Sequence, residues 1–243
     1  MDLSGKGVFL TGGARGIGRG LTEALLSKGA KVMFCDMRVE TGKATEAELQ
    51  KTFGADKFGA VDICVNNAGI MDESRWEKMT EVNVVAPIRV SQLALDHMRR
   101  DRGGRGGLII NTVSELGLSS MHFCPAYTAS KHAILGFTTS WAKNPTMKDM
   151  GVKWRCFCPK LTDTNLVNEI KDRMLEDLDG FLTMSSAKDA RMSVDETAQE
   201  FLKLVQDQGS DDVIYLVRKN GASGYVRRQL VDTDGVSNAV TVD

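Results

Sequence analysis

A tyrosine and a lysine at helical spacing could form an acid–base pair. Tyr127 and Lys131 are four positions apart in the segment 125–143, whose residue pattern predicts a helix, so both side chains would lie on one helical face. A free tyrosine has a pKa of about 10, too high for a base at neutral pH. Because a nearby ammonium stabilises the phenolate and lowers that pKa, we expect Tyr127 to act as a general base towards an alcohol.

Ser114 supplies a hydroxyl that could act with this pair. It follows the strand-like run 108–112 and precedes the helix that carries Tyr127, and a hydroxyl there could orient a substrate alcohol or stabilise a developing oxyanion. A tyrosine and a lysine one helical turn apart are usually only a solvated pair. The catalytic interpretation depends on their occurrence together with Ser114 and with a glycine turn near the amino terminus.

That turn could bind the phosphates of a dinucleotide. Gly12, Gly16 and Gly18 lie between the apolar run 7–10 and a helical pattern that ends at Gly29. Glycine permits positive φ and close approach to a pyrophosphate, and the first N–H groups of the helix then face the phosphates. A strand before the turn and a helix after it favour this interpretation over a glycine-rich loop without a ligand.

An acidic residue closes the next apolar run. Asp36 directly follows the run 32–35, the first strand-like run after the glycine turn, where a carboxylate can accept both hydroxyls of a ribose and repel a 2′-phosphate. We therefore expect NAD rather than NADP as the cofactor. Arg15 and Arg38 are competing signals because either could pair with a phosphate, and a solvated charge at a strand end is the alternative for Asp36.

Composition excludes several classes of protein. The 243 residues are 42% hydrophobic and 26% charged, with a net charge of −1, which argues against disorder and against nucleic-acid binding. No apolar stretch approaches the roughly 18 residues of a membrane span. No secretion signal is visible, and most of the five cysteines lie in apolar runs, which predicts reduced, buried thiols in a cytoplasmic protein. Cys156 and Cys158 have no second ligand pair, so no metal is expected.

Apolar strand-like runs alternate with helical patterns along the chain. This alternation predicts a single domain, residues 1–243, with a doubly wound, Rossmann-like parallel α/β sheet. The predicted strands are residues 7–10, 32–35, 61–65, 108–111, 152–158 and 213–217. The predicted helices after the first are residues 43–53, 77–100, 125–143 and 195–207.

In combination, these motifs resemble the classical short-chain dehydrogenase/reductase family. The matching segments are TGGARGIG at 11–18, NNAG at 66–69, Asn83, Ser114 and YTASK at 127–131. The resemblance covers about residues 5 to 165 and is specific because all the motifs occur in order. Stretches such as WEKMTEVNVV and YTASKHAILGFTTS resemble the NAD-dependent branch of the family that oxidises prostaglandins.

The resemblance implies a role for each matching residue. Tyr127 would remove the alcohol proton, Ser114 would hydrogen-bond the substrate oxygen, and Lys131 would bind the nicotinamide ribose. Asn83 would support a water-mediated proton relay to Lys131, while the alcohol carbon gives its hydride to NAD. The implied cofactor-binding residues are Gly12, Arg15, Gly16, Ile17, Gly18, Asp36, Asn67, Ala68, Gly69, Tyr127, Lys131 and Pro159.

The sequence departs from the family pattern between Asp36 and Asn66. This interval is short, whereas family members have there a helix, a third strand ending in an Asp that contacts adenine, and a further helix. We therefore expect the usual third strand, at the edge of the sheet, and one helix to be missing. Part of the adenine pocket would be lost with them, so NAD should bind more weakly than in the full-length family.

The substrate side departs from the pattern as well. Lys160 follows Pro159 where the family has glycine, Cys124 replaces an expected polar amide near the substrate, and Leu161 replaces an expected aromatic residue. Segment 163–192 could form a substrate lid, although core packing is the more frequent role for its Met and Leu residues. These departures weaken the expectation of prostaglandin specificity more than they weaken the expected type of reaction.

The sequence thus predicts an NAD-dependent dehydrogenase for a secondary alcohol on a lipid-like substrate, a prostaglandin or a hydroxy fatty acid. Ser114, Cys124 and Tyr127 are its predicted substrate contacts. By resemblance, the helices at about 77–100 and 125–143 would form a homodimer interface. The alternative is a truncated, weakly active or inactive homologue that dimerises or binds a ligand, and an enzyme for steroid or sugar alcohols is a third hypothesis.

Overall fold

Parallel strands form the centre of the molecule. The computed structural model describes residues 1–54, 59–168, 170, 173, 177–186, 191–207 and 209–227. Within those ranges the sheet has seven strands in the order β2-β1-β3-β4-β5-β6-β7. The strands are β1 Gly7–Thr11, β2 Lys31–Cys35, β3 Ile63–Asn66, β4 Gly107–Thr112, β5 Val152–Cys158, β6 Ile214–Leu216 and β7 Gly224–Val226. The first six are parallel, as predicted, and β7 adds an antiparallel strand that the sequence analysis missed.

Helices cover both faces of this sheet. Their bounds are α1 Gly16–Ser27, α2 Val39–Phe53, α3 Trp76–Thr80, α4 Ala86–Met98, α5 Pro125–Ala142, α6 Met147–Met150, α7 Asn165–Asn168, α8 Leu178–Ser186 and α9 Val194–Gln206. The predicted helix 77–100 is therefore divided, with a π-helical turn at Glu81–Val85 between α3 and α4. Pro87 lies in the first turn of α4, directly after this π-helical turn. In the described part of the chain, no helix is long and apolar enough to cross a membrane.

The prediction of a missing edge strand is confirmed. Among the described residues, β2 lies at the edge of the sheet and pairs with β1 alone. The chain continues from β2 through α2 and enters β3 on the far side of β1. One face of β2 is left uncovered, so Met33 is 46% exposed and Cys35 is also exposed. Cys35 is thus an exception to the buried thiols that the sequence predicts, since the other four are buried.

Alternating residues of the central strands supply two hydrophobic cores. Leu10 of β1 and Ile110 of β4 pack with residues of α1 and α9 on one face. Ile109 and Trp154 pack against α4 and α5 on the other, as the two-residue side-chain period of a strand requires. Because these strands are parallel, their carboxyl ends meet at one edge of the sheet, where ligands of doubly wound sheets bind.

Candidate active site

The glycine turn connects β1 to α1 and is held by the end of β2. The Gly12 amide donates to the Cys35 carbonyl at 2.7 Å. The Asp36 carboxylate accepts from the Ala14 amide at 3.1 Å and from the Arg38 amide at 3.0 Å. Asp36 is half-buried. Its carboxylate therefore both orders the turn and lines the cleft beside it.

Thr11 joins this turn to the NNAG motif, a role that the sequence analysis missed. Its Oγ1 accepts from the amides of Asn67 and Ala68, each at 3.1 Å. The Asn67 Nδ2 donates in return to the carbonyls of Thr11 and Gly12, at 3.2 and 3.3 Å. Neighbouring Asn66 is buried, and its Nδ2 donates to Asn111 Oδ1 at 2.8 Å. Asn66 therefore links strands, whereas Asn67 and Ala68 line the cleft.

Tyr127 and Lys131 lie on α5 and are both buried, at 8% and 4% exposure. The Lys131 Nζ lies 5.5 Å from the centroid of the Tyr127 ring and donates to the Thr112 carbonyl at 3.1 Å. Thr112 is the last residue of β4, and Ser114 follows it in the loop. The Ser114 Oγ accepts from the Leu116 amide at 3.2 Å. Helix α5 and the β4 loop thus bring together the three side chains predicted to act on the alcohol.

The pKa of Tyr127 differs in direction from the sequence-based expectation. Burial raises the pKa of this phenol, with a further increase from Cys124, and a hydrogen bond with Ser114 only partly opposes them. Burial also lowers the pKa of Lys131 to about 8. The acidification expected from the ammonium is not found, because taking both groups out of water penalises the phenolate and the ammonium alike.

Asn83 lies in the π-helical turn before α4 and faces the same region from behind. Its Oδ1 accepts from the Ile70 amide and its Nδ2 donates to the Ile70 carbonyl, both at 2.9 Å. The Nδ2 also lies 3.2 Å from Ser130 Oγ, to which it donates. A Cβ built on Gly69 would lie 3.4 Å from Asn83 Oδ1 and 3.6 Å from Lys131 Nζ. Gly69 therefore adjoins both the Asn83 amide and the Lys131 amine, and the proton relay stays a prediction.

A single cleft of about 650 Å³ contains nearly all the predicted site residues. The glycine turn and Asp36 line this cleft, as does an apolar wall that includes Met121 and Phe181. The predicted residues on this cleft are Gly12, Arg15, Gly16, Ile17, Gly18, Asp36, Asn67, Ala68, Gly69, Ser114, Cys124, Tyr127, Lys131 and Pro159. Asn83 is the exception, since it is buried behind the cleft wall.

The departures noted in the sequence also lie at this cleft. Cys124 is fully buried, and burial raises the pKa of its thiol to about 11, so the wall there is neutral. Lys160 and Leu161 line the cleft close to Glu115, whose carboxylate accepts from the Leu161 amide at 3.4 Å. Burial raises the pKa of Glu115. Glu115 is not among the site residues predicted from the sequence, although an acidic residue directly after Ser114 is a visible signal.

Replacing Lys131 by methionine should stabilise the fold. Because its pKa falls from 10.5 to about 8 on folding, the buried ammonium costs stability below pH 8. Allowing for the hydrogen bond to Thr112 that is lost, we expect Lys131→Met to increase the free energy of unfolding by about 2 kcal/mol at pH 7.

Denaturant unfolding at several pH values tests whether Lys131→Met increases the free energy of unfolding. The advantage of Lys131→Met should shrink as the pH rises from about 8 towards 10.5, where the unfolded wild-type chain loses the same proton. A difference between the two proteins that stays constant over this range would contradict the assignment of a buried ammonium.

Comparison with known proteins agrees with the family resemblance seen in the sequence motifs. A family model described as short chain dehydrogenase matches residues 6–57 and 54–175. The two stretches meet where the sequence predicts the missing strand and helix. The human protein named 15-hydroxyprostaglandin dehydrogenase [NAD(+)] is 38% identical over a region that covers 70% of this chain and 73% of the relative.

More distant similarities point in the same direction. A 3beta-hydroxysteroid dehydrogenase 2 from Eggerthella lenta is 32% identical, with 68% of this chain and 74% of the relative covered. A crystal structure of a short chain dehydrogenase/reductase from Burkholderia phymatum in complex with NAD superposes with a TM-score of 0.74. That structure is 20% identical and covers 84% of this chain and 87% of its own, so it supports the fold alone.

Proposed function

Since this chain belongs to the short-chain dehydrogenase family, we propose that it oxidises a secondary alcohol and that NAD accepts the hydride. One observation carries the proposal: Ser114, Tyr127 and Lys131 line the same cleft as the glycine turn. The cofactor named in the human relative, NAD(+), supports the same cofactor here.

The glycine turn fits a dinucleotide. Gly12 and Gly16 have φ values of 74° and 55°, which glycine adopts without steric cost. A side chain at Gly12 would meet the Ala68 backbone at 2.9 Å, so the wall is bare backbone close to the amino end of α1. The N–H groups and dipole of that helix favour a pyrophosphate, and the Asp36 carboxylate favours a ribose diol over a 2′-phosphate.

Each polar side chain has a distinct role in the proposed reaction. Tyr127 removes the hydroxyl proton, and Ser114 hydrogen-bonds the same oxygen to hold it against the phenol. Lys131 would bind the nicotinamide ribose and, as an ammonium, stabilise the phenolate against the burial that raises the Tyr127 pKa. Asn83 would support a water-mediated proton relay to Lys131. NAD supplies the hydride acceptor, so the chain contributes orientation and proton transfer.

The apolar wall supports a lipid-like substrate, for which we propose a prostaglandin or a hydroxy fatty acid. Met121, Phe181 and Met184 line the cleft and belong to one apolar cluster with Tyr127, and apolar side chains bind hydrocarbon by removing it from water. Helix α8 carries Phe181 and Met184, in line with segment 163–192 as a substrate lid, although part of that segment lies outside the described residues. Cys124 would contact the substrate as a neutral thiol.

We also propose a cytoplasmic homodimer that pairs through α4 and α5. Val85, directly before α4, is 44% exposed, and Leu93, within α4, is 57% exposed. Exposed apolar side chains on a helix favour an interface. Four buried free thiols agree with a reducing compartment.

Incubating the purified protein with NAD and a panel of secondary alcohols tests the proposed reaction. Hydroxy fatty acids, prostaglandins, steroids and sugar alcohols should be compared by the absorbance of NADH, and we expect turnover with the lipid-like alcohols. NAD binding without turnover on any member would favour the inactive ligand-binding alternative, to which the short 36–66 interval and Lys160 point.

The affinity for NAD should be low. The shortened 36–66 interval leaves Met37 78% exposed beside Asp36, so little surface is available to enclose adenine. We expect calorimetric titration to give a Kd above about 1 µM, and Asp36→Asn to weaken it by a further factor of about ten because charged hydrogen bonds are lost. A sub-micromolar Kd for the wild-type protein would refute this expectation.

A further inference from the structure

Glu73 is a buried carboxylate that the proposed mechanism does not use. It begins the 3₁₀ turn Glu73–Arg75 and is only 2% exposed. Its Oε1 accepts from the Tyr127 amide at 2.8 Å, and its Oε2 accepts from the Ala126 amide at 2.9 Å. Both carboxylate oxygens therefore bind the first turn of α5.

This first turn has little local capping. The N–H groups at the start of a helix lack intrahelical acceptors, and Cys124 at the N-cap position makes no side-chain capping hydrogen bond. Pro125 follows it and has no N–H to satisfy. Glu73 supplies the missing acceptors from a segment that precedes α5 by two helices and a strand. Its negative charge also complements the positive end of the α5 dipole.

The position of this contact matters because the phenol of Tyr127 belongs to the same turn. A helix end frays more readily than its middle, and a displacement of about 1 Å at a reacting group can reduce a rate about a hundredfold. The amide of Tyr127 is bonded to Glu73 itself, and Lys131 follows one turn later on the same helix.

A second contact extends this role towards the substrate side of the cleft. The Glu73 amide donates to the Arg173 carbonyl at 2.7 Å, and Arg173 lines the cleft. One residue thus connects the helix that carries the base to the segment proposed as a lid.

We propose that Glu73 is a positioning residue for turnover, which fixes the amino end of α5 and thereby the Tyr127 phenol. The inference rests on the proposed dehydrogenase function. Glu73 touches neither the alcohol nor the nicotinamide in this proposal and acts only through α5.

Glu73→Gln provides the direct test. Glutamine can accept from one of the two amides, while its own N–H₂ group faces the other donor. We expect kcat to fall about 10- to 100-fold while KM for NAD changes less than about twofold. The deuterium isotope effect on kcat with an alcohol deuterated at the carbinol carbon should rise, because the chemical step becomes slower than product release.

Asp62→Asn is the matched control. Asp62 is also a buried carboxylate that accepts from a backbone amide, that of Gly7 at 2.9 Å, but it lies at the amino ends of the strands. It should lower the melting temperature and leave kcat unchanged. Unchanged kcat in folded Glu73→Gln, or an equal loss of kcat in both variants, would overturn the proposal. If Glu73→Gln does not fold, Glu73→Asp, one methylene shorter, is measured in the same way with the same expectation.

Hydrogen exchange separates this inference from the proposed reaction. If the wild-type protein turns over no alcohol, the proposed function fails, but exchange at the Ala126 and Tyr127 amides can still be measured. Glu73→Gln should accelerate exchange at these two amides by at least about tenfold, and Asp62→Asn should not. Unaltered exchange there would overturn the positioning role independently of activity.

Discussion

Tyr127→Phe should reduce NADH production by at least about 10³-fold while the protein remains folded. The substitution removes only the phenolic oxygen, so the ring that packs with Met71 and Phe181 is retained. General base catalysis contributes about 10² to 10⁴ to a rate, and in the proposed reaction Tyr127 alone takes the proton. Steady-state absorbance at saturating NAD measures the loss, and thermal denaturation reports on folding.

Tyr215→Phe is the corresponding control. Tyr215 is also a buried tyrosine, and it lies on β6, away from the cleft. Its hydroxyl donates to Glu200 Oε2 at 2.9 Å. Its substitution should cost about 1 kcal/mol of stability and leave kcat within about twofold of the wild type. Retained activity in Tyr127→Phe would remove Tyr127 from the mechanism.

Gly18→Ala should eliminate NAD binding and destabilise the fold by more than about 3 kcal/mol. Gly18 lies in the first turn of α1, where a built Cβ would overlap the Gly12 carbonyl and come within 2.5 Å of the Asn67 Nδ2. The first contact is backbone, and the second is an amide held by its hydrogen bonds to the turn. The substitution must therefore move the helix away from the turn that would hold the phosphates.

Gly42→Ala separates this effect from the general consequences of replacing a helical glycine. Gly42 lies in α2, and a Cβ there would meet nothing within 4 Å, so we expect a gain of about 0.5 kcal/mol from the lower entropy of the unfolded chain. Calorimetric titration with NAD and denaturant unfolding measure both variants. Wild-type NAD affinity in Gly18→Ala would show that the glycine turn is not the dinucleotide site.

The order of strands and helices followed from the sequence because both are encoded by short-range patterns. The apolar runs at β1, β4 and β5 are continuous, as buried parallel strands require, and their predicted bounds agree closely with the structure. The missing edge strand was predictable by setting the short interval against the family pattern, since the stretch between Asp36 and Asn66 accommodates one crossover helix and no further strand with its own helix.

The candidate site was predictable to the same extent. Tyr127 and Lys131 share a helical face by their spacing, and Gly12, Gly16 and Gly18 mark a turn by residue type. Parallel strands place both groups at one edge of the sheet, where a single cleft contains them.

Only the tertiary structure decided the surroundings of these groups. Burial, which raises the pKa of Tyr127 and lowers that of Lys131, depends on what covers a side chain and not on its neighbours in the chain. The hydrogen bonds from the α5 amides to Glu73 and from the Asn67 amide to Thr11 join segments that are far apart in the sequence. Residue type and spacing therefore determined which groups could react, whereas long-range packing determined their desolvation, their hydrogen-bond partners and hence their chemistry.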